Sequence, residues 1–200
     1  MKRLLIILAV MAIGISTTFA QRLQSDTISN VEKTLNLKGA IIKKEYGGVI
    51  RRKTGTQKLP GSCSYETLVI TNLESGKKVG GLIITAYYYY VVANSSKTDE
   101  FTAYLDLEEI MACVSFLKRV SGEYLTTTPD KYTEIMYKTP NNFKLAFFYD
   151  TKDKNPSWKL IMQIKDYTYR SLVEIDKDDI SVLVQDFESA YNRIKSAIGE

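Results

Sequence analysis

Ala103-Tyr104-Leu105-Asp106-Leu107-Glu108-Glu109-Ile110 and Val173-Glu174-Ile175-Asp176-Lys177-Asp178-Asp179-Ile180 are two versions of one pattern. Each opens as an apolar run that reads as a strand, passes an Asp, carries two more acids and enters an amphipathic helical repeat. Laid over each other they share Asp106/Asp176, Ile110/Ile180 and, one turn on, Val114/Val184. An Asp at a helix N-cap accepts the free N–H groups of the first turn, and acids there suit the helix dipole. The pair reads as two strand-to-helix corners capped by Asp106 and Asp176, in a chain that writes one β-then-α unit twice.

Outward from the first corner, apolar residues at Ile110, Cys113, Val114 and Leu117 make one helical stripe, with Gly122 as the expected stop. After the second corner, Ile180, Leu183, Val184, Phe187, Tyr191 and Ile194 do the same for a helix from Asp176 to about Ile198. Before the first corner, Ala40–Tyr46 and Val49–Arg52 flank Gly47-Gly48, a hairpin signal. Lys53–Ser64 reads as a loop. Thr67–Thr71, Val79–Val92 and Phe101–Leu105 read as strands, with turn chemistry at Glu74–Lys77 and Asn94–Asp99. Before the second corner, strands are expected at Tyr132–Lys138, Phe143–Tyr149, Trp158–Lys165 and Tyr169–Ile175. The hairpin Leu68–Ile84 resembles Leu145–Ile161 at a slightly longer offset. A short helix fits within Ser25–Leu37, where Ile28, Val31 and Leu35 share a face.

Grouped strands followed by a helix argue for an α+β fold of two tandem β-sheet-plus-C-terminal-helix repeats, with mostly antiparallel strands. The repeats would divide at 21–122 and 123–200, packed side by side or with helices swapped across a pseudo-twofold. Residues 1–20 have the layout of a secretory signal peptide: Met1-Lys2-Arg3, an apolar run Leu4–Ile15 and a small-residue exit ending at Ala20. That run is short for the ~20 residues needed to cross a bilayer. The expectation is an exported chain, periplasmic or secreted, with no transmembrane segment after Ala20.

The 200 residues contain no histidine, which removes Ser-His-Asp and Cys-His arrangements and the usual general base near neutral pH. No Gly-rich loop joins a strand to a helix to cradle phosphate, and no cofactor or metal site is expected. The acidic corners, Asp106/Glu108/Glu109 and Asp176/Asp178/Asp179, read as helix caps rather than as a cation site or acid/base pair. Cys63 and Cys113 either pair in an oxidising compartment or act as small apolar fillers.

Two surface features remain. Tyr87-Tyr88-Tyr89-Tyr90 lies in a strand, so Tyr87 and Tyr89 should share one face and Tyr88 and Tyr90 the other. Tyrosine suits stacking on sugars, bases or a protein, and equally suits a half-buried sheet. Tyr132, Tyr137, Tyr149, Tyr167 and Tyr169 add aromatic strand positions. Between Lys38 and Lys78, nine bases face three acids. Within this stretch Lys43, Lys44, Arg51 and Arg52 offer a polyanion surface or simply a solvated edge.

In organisation the chain resembles the small secreted domains of unknown function of Gram-negative bacteria, through its leader, its lack of histidine and its Lys/Ile/Tyr-rich body. The doubled four-strand-plus-helix unit is also similar in topology to the PUR/Whirly-type single-strand binders. An exported address argues against nucleic acid as partner. The sequence therefore predicts a binding or structural module that presents a sheet face to a glycan, lipid or protein at the cell envelope. A polyanion binder working through the basic hairpins is the alternative, and a carboxylate-based hydrolase the third reading.

Overall fold

The computed structural model describes residues 28–54, 61–166 and 168–200. The leader at 1–20, Tyr167 and the middle of the expected Lys53–Ser64 loop lie outside that set. A short helix α1 (Asn30–Leu35) precedes strands β1 (Ile42–Thr54), β2 (Gly61–Asn72), β3 (Lys78–Val92) and β4 (Ser95–Asp106), then helix α2 (Leu107–Glu123). Strands β5 (Thr133–Lys138), β6 (Lys144–Tyr149), β7 (Trp158–Gln163) and β8 (Leu172–Ile175) lead to helix α3 (Ile180–Ile198). The strands form two antiparallel four-stranded sheets, β1-β2-β3-β4 and β5-β6-β7-β8. The fold is α+β in two tandem units, as the paired corners imply.

The helices are exchanged between the units. Phe187 of α3 meets Tyr65 of the first sheet edge-on, with centroids 5.7 Å apart. A Cβ on Gly80 of β3 would fall 2.3 Å from Ile194 Cγ2, so that glycine lets α3 close onto the first sheet. Conversely, Phe116 of α2 packs on Tyr137 and Phe147 of the second sheet at 5.9 and 5.8 Å. Both apolar stripes, Ile110/Cys113/Val114/Leu117/Val120 and Ile180/Leu183/Val184/Phe187/Ala190/Ile194, join one core shared by the two sheets. The helices also touch each other through Lys118 and Glu188 at 2.5 Å.

Several local expectations change. Gly47-Gly48 is no hairpin: β1 runs straight through it with one extra residue opposite β2, since Gly47 pairs with Thr67 and Ile50 with Tyr65. This is a β-bulge, with Gly48 at φ +55. Thr67 Oγ1 donates to the Gly47 carbonyl at 2.6 Å, and a Cβ on Gly48 would collide with the Arg193 guanidinium of α3. The glycines bend the strand to admit a helix rather than turning the chain. The Lys53–Ser64 loop is shorter than expected, because Gly61–Ser64 already pair in β2.

The Asn94–Asp99 turn shrinks to Ala93-Asn94, at φ 47 and 64. This is the two-residue turn whose twist matches a hairpin, and Ser95–Asp99 join β4. Gly122 lies inside α2, which ends at Glu123 with Tyr124 as its C-cap. The hairpin equivalence also shifts. Leu82 pairs with Leu105 as Leu160 pairs with Ile175, which matches Tyr65 to Leu145. Leu68 faces the opposite side, under α1, so its match to Leu145 is a coincidence of composition.

Candidate functional site

Each sheet turns one face to the shared helices. On the other face of the first sheet, α1 covers one end. Val31 is fully buried there with Leu68 and Ile70, flanked by Leu35, Ile42, Val79, Ile83 and Tyr104. Gly81 makes this possible, because a Cβ there would lie 2.5 Å from Val31 Cγ2. Beyond Ile83 no described helix lies over the sheet. Following the register outward, one row is Ser64, Thr85 and Thr102 and the next is Ser62, Tyr87 and Glu100. Thr85 and Thr102 hydroxyls lie 3.3 Å apart. Tyr89 follows, 50% exposed, with its hydroxyl 3.1 Å from Ser62 Oγ. The result is an aromatic stripe, Tyr87 and Tyr89, beside Ser62 and Thr98, with Glu66 and Glu100 as its acids, while Ser64 and Thr85 are buried beneath it.

Tyr88 and Tyr90 have a different task. They lie on the face turned toward the second unit, opposite Asp99 and Lys97. There Arg170, in the 3-10 turn Tyr169–Ser171, reaches across. Its guanidinium lies 5.7, 4.9 and 5.9 Å from the rings of Tyr88, Tyr90 and Tyr169. Nη1 donates to Asp99 Oδ2 at 2.7 Å, and the Tyr90 hydroxyl donates to Asp99 Oδ1 at 3.0 Å. Arg170 holds the Asp99 carboxyl below its usual range, and the hydrogen bond to Asp99 pushes the Tyr90 phenol up. The cluster staples the far end of the β3–β4 ribbon to the second unit. Alternation separates the four tyrosines as expected, but only Tyr87 and Tyr89 are left for a partner. The contribution of Arg170 and Asp99 was invisible in the sequence, because the two lie in different units and no spacing links them.

The basic residues do not converge. Lys44 pairs with Ile70, on the face of Tyr87, whereas Lys43 pairs with Thr71 on the other; in register Arg51 pairs with Ser64 and Arg52 with Cys63. Lys43 is 2.9 Å from Glu45; the side chains of Arg51 and Arg52 lie outside the described set.

Of the two expected caps, Asp106 is at the α2 N-cap, where its N–H donates to Glu109 Oε2 at 2.9 Å in a capping box. Its carboxylate also serves another helix, accepting the Asn30 N–H at 2.7 Å and the Val31 N–H at 3.2 Å. It thereby fastens α1 to the corner. Asp176 makes no side-chain cap. The chain first takes a 3-10 turn, Lys177–Asp179, so α3 begins at Ile180 and only the Asp176 carbonyl is used, accepting from Asp179 N at 3.0 Å. Burial raises the Glu109 carboxyl to about 7.

The acidic corners lie on separate cavities. The one of about 390 Å³ beside Asp106 and Glu108 is lined by α1, β3 and the end of α3. The one of about 600 Å³ that holds Asp178 runs between Lys118, Lys177 and Glu188. Among the described residues no group of three or more His, Cys, Asp or Glu could hold a metal ion. Cys63 and Cys113 are free thiols, fully buried in the shared core, and burial pushes Cys63 up to about 12. No described helix is long and apolar enough to cross a membrane.

No protein-family model matches the sequence, and a search of curated proteins returns no similar chain.

Proposed function

We propose that this is an exported, non-enzymatic binding module that receives its ligand or partner on the outer face of the first sheet, at Tyr87 and Tyr89. The observation that carries the reading is the division of labour in the tyrosine run. Tyr88 and Tyr90 are consumed by the Arg170–Asp99 staple, while Tyr89 stays half-exposed beside Ser62, Thr98 and Glu100. Flat rings flanked by hydroxyl and carboxylate acceptors suit stacking with hydrogen bonding, as a sugar or a polar protein surface offers. Lys43 and Lys44 pair with Thr71 and Ile70 and so fall on opposite faces, which makes polyanion binding the weaker alternative.

The test is a thermal-shift panel on residues 21–200 with neutral oligosaccharides, acidic glycans and oligonucleotides, each at low and high salt. A ligand at a hundred times its Kd adds about 2.7 kcal/mol. The expected result is a shift that survives salt and disappears in Tyr87→Ser/Tyr89→Ser. A shift that salt abolishes would transfer the function to the basic strand, since counterion release makes phosphate-type binding strongly salt-dependent.

A further inference from the structure

The β3–β4 ribbon ends in a two-residue turn, Ala93-Asn94. Among the described residues, β2 pairs with β3 as far as Gly61 and Tyr88, and β3 and β4 are paired for four further rungs: Tyr89–Thr98, Tyr90–Lys97, Val91–Ser96 and Val92–Ser95. At the tip Val91 is 69% exposed and Val92 46%. Neighbours in a strand point to opposite faces, so the two valines cover both sides of the tip. One rung pair down, Tyr89 is half exposed on one side, while Tyr90 on the other is held by the Arg170 staple. From Val91 to Ser96 there is no charged residue, and Lys97 sits at the level of Tyr90.

We infer that this tip is an anchor for an anionic lipid surface. A groove on a protein would meet one side of the ribbon and leave the other valine in water, whereas lipid surrounds the tip and buries both. The rungs of Val91 and Val92 stand roughly 7 Å beyond those of Tyr89 and Tyr90, comparable to the ~5–10 Å to which interfacial segments sink. Tyrosine is favoured at the depth where acyl chains give way to headgroups. Lys97 at that same level supplies the charge that complements an anionic headgroup. The Arg170 staple holds the base of the ribbon to the second unit, so the tip is presented on a fixed stalk. This surface adjoins the Tyr87/Tyr89 face through Tyr89 and places that face beside a membrane.

The experiment is vesicle co-sedimentation of residues 21–200, which retain every described residue. It uses phosphatidylcholine alone and phosphatidylcholine mixed with phosphatidylglycerol. The protein is expected to sediment with the mixed vesicles. Val91→Ser/Val92→Ser should lower that partition at least about tenfold with the melting temperature unchanged. Lys97→Ser should remove only the preference for the anionic mixture, and Tyr87→Ser should leave partition intact. A tryptophan placed by Val91→Trp should shift to the blue with vesicles and be quenched by brominated lipid. Vesicle binding that the double variant does not weaken would overturn the inference. So would an absence of binding to both vesicle types, or a dimer without lipid that the double variant abolishes.

Discussion

Asp106→Ala is the sharpest perturbation of the fold, because the sequence and the structure make different demands of that residue. Read as sequence, Asp106 and Asp176 are equivalent caps and each should cost about 1 kcal/mol when lost. In the structure the Asp106 carboxylate holds the N–H groups of Asn30 and Val31, seventy-odd positions away in sequence, whereas Asp176 makes no side-chain cap. Losing two charge-assisted hydrogen bonds leaves the Asn30 and Val31 N–H groups without acceptors, while Ser29 still caps Glu32. Undocking then lets water replace them, which limits the cost to what α1 contributes. That contribution is mainly the burial of Val31, worth roughly 1.5–3 kcal/mol, reduced by the entropy of ordering six helical residues. A loss of about 1–2 kcal/mol follows, or roughly 2–8 °C in a chain of this size. Asp176→Ala should stay within about 0.5 kcal/mol. Thermal melts give the magnitudes, and amide hydrogen exchange gives the place. Protection should fall at Asn30–Lys33 in Asp106→Ala and nowhere in the α3 corner of Asp176→Ala. Equal losses from the two substitutions, or unchanged exchange in α1, would refute the reasoning.

Three further outcomes are expected. Gly80→Ala should destabilise by about 1–3 kcal/mol through overpacking against Ile194. Ile194→Ala in the same chain should recover part of that loss, a non-additivity that equilibrium unfolding measures and that only the exchanged helix explains. Glu109 has a folded pKa of about 7 against an ordinary 4.5, so its stabilising contribution is complete below about 4.5 and fades as pH rises through about 7. Solvent screening brings that loss to roughly 1 kcal/mol; Glu109→Gln should flatten the dependence of the melting temperature on pH across this window. Asp99→Asn removes the charge that accepts the Tyr90 hydroxyl. The Tyr90 phenol should then titrate closer to its ordinary range, as ring-carbon NMR shifts would report.

Much of the plan was legible because it is carried by local periodicity. The stripes Ile110/Cys113/Val114/Leu117 and Ile180/Leu183/Val184/Phe187 are buried as read, and alternation assigned the tyrosine faces correctly. What failed was what depends on a distant neighbour. Gly47-Gly48 has the composition of a turn, and only the Arg193 side chain of α3 shows that the pair is there to let a strand bend. Asp176 has the same local setting as Asp106, but a 3-10 turn, Lys177–Asp179, follows it before α3 begins. In the candidate site, Tyr87 and Tyr89 were nameable from the sequence, whereas their release from structural duty depends on Arg170, eighty-odd positions away. Composition could not place Lys43, Lys44, Arg51 and Arg52 on one face, because the bulge and the alternation of the strand decide that.

The division of the tyrosine run is tested most directly by melting Tyr87→Ser, Tyr88→Ser, Tyr89→Ser and Tyr90→Ser with and without the panel ligand that shifts the parent protein most. Tyr87→Ser and Tyr89→Ser should keep the parent melting temperature and lose the ligand shift. Tyr88→Ser and Tyr90→Ser should melt lower and keep the shift. The reverse pattern, or a ligand shift that all four variants retain, would contradict the account.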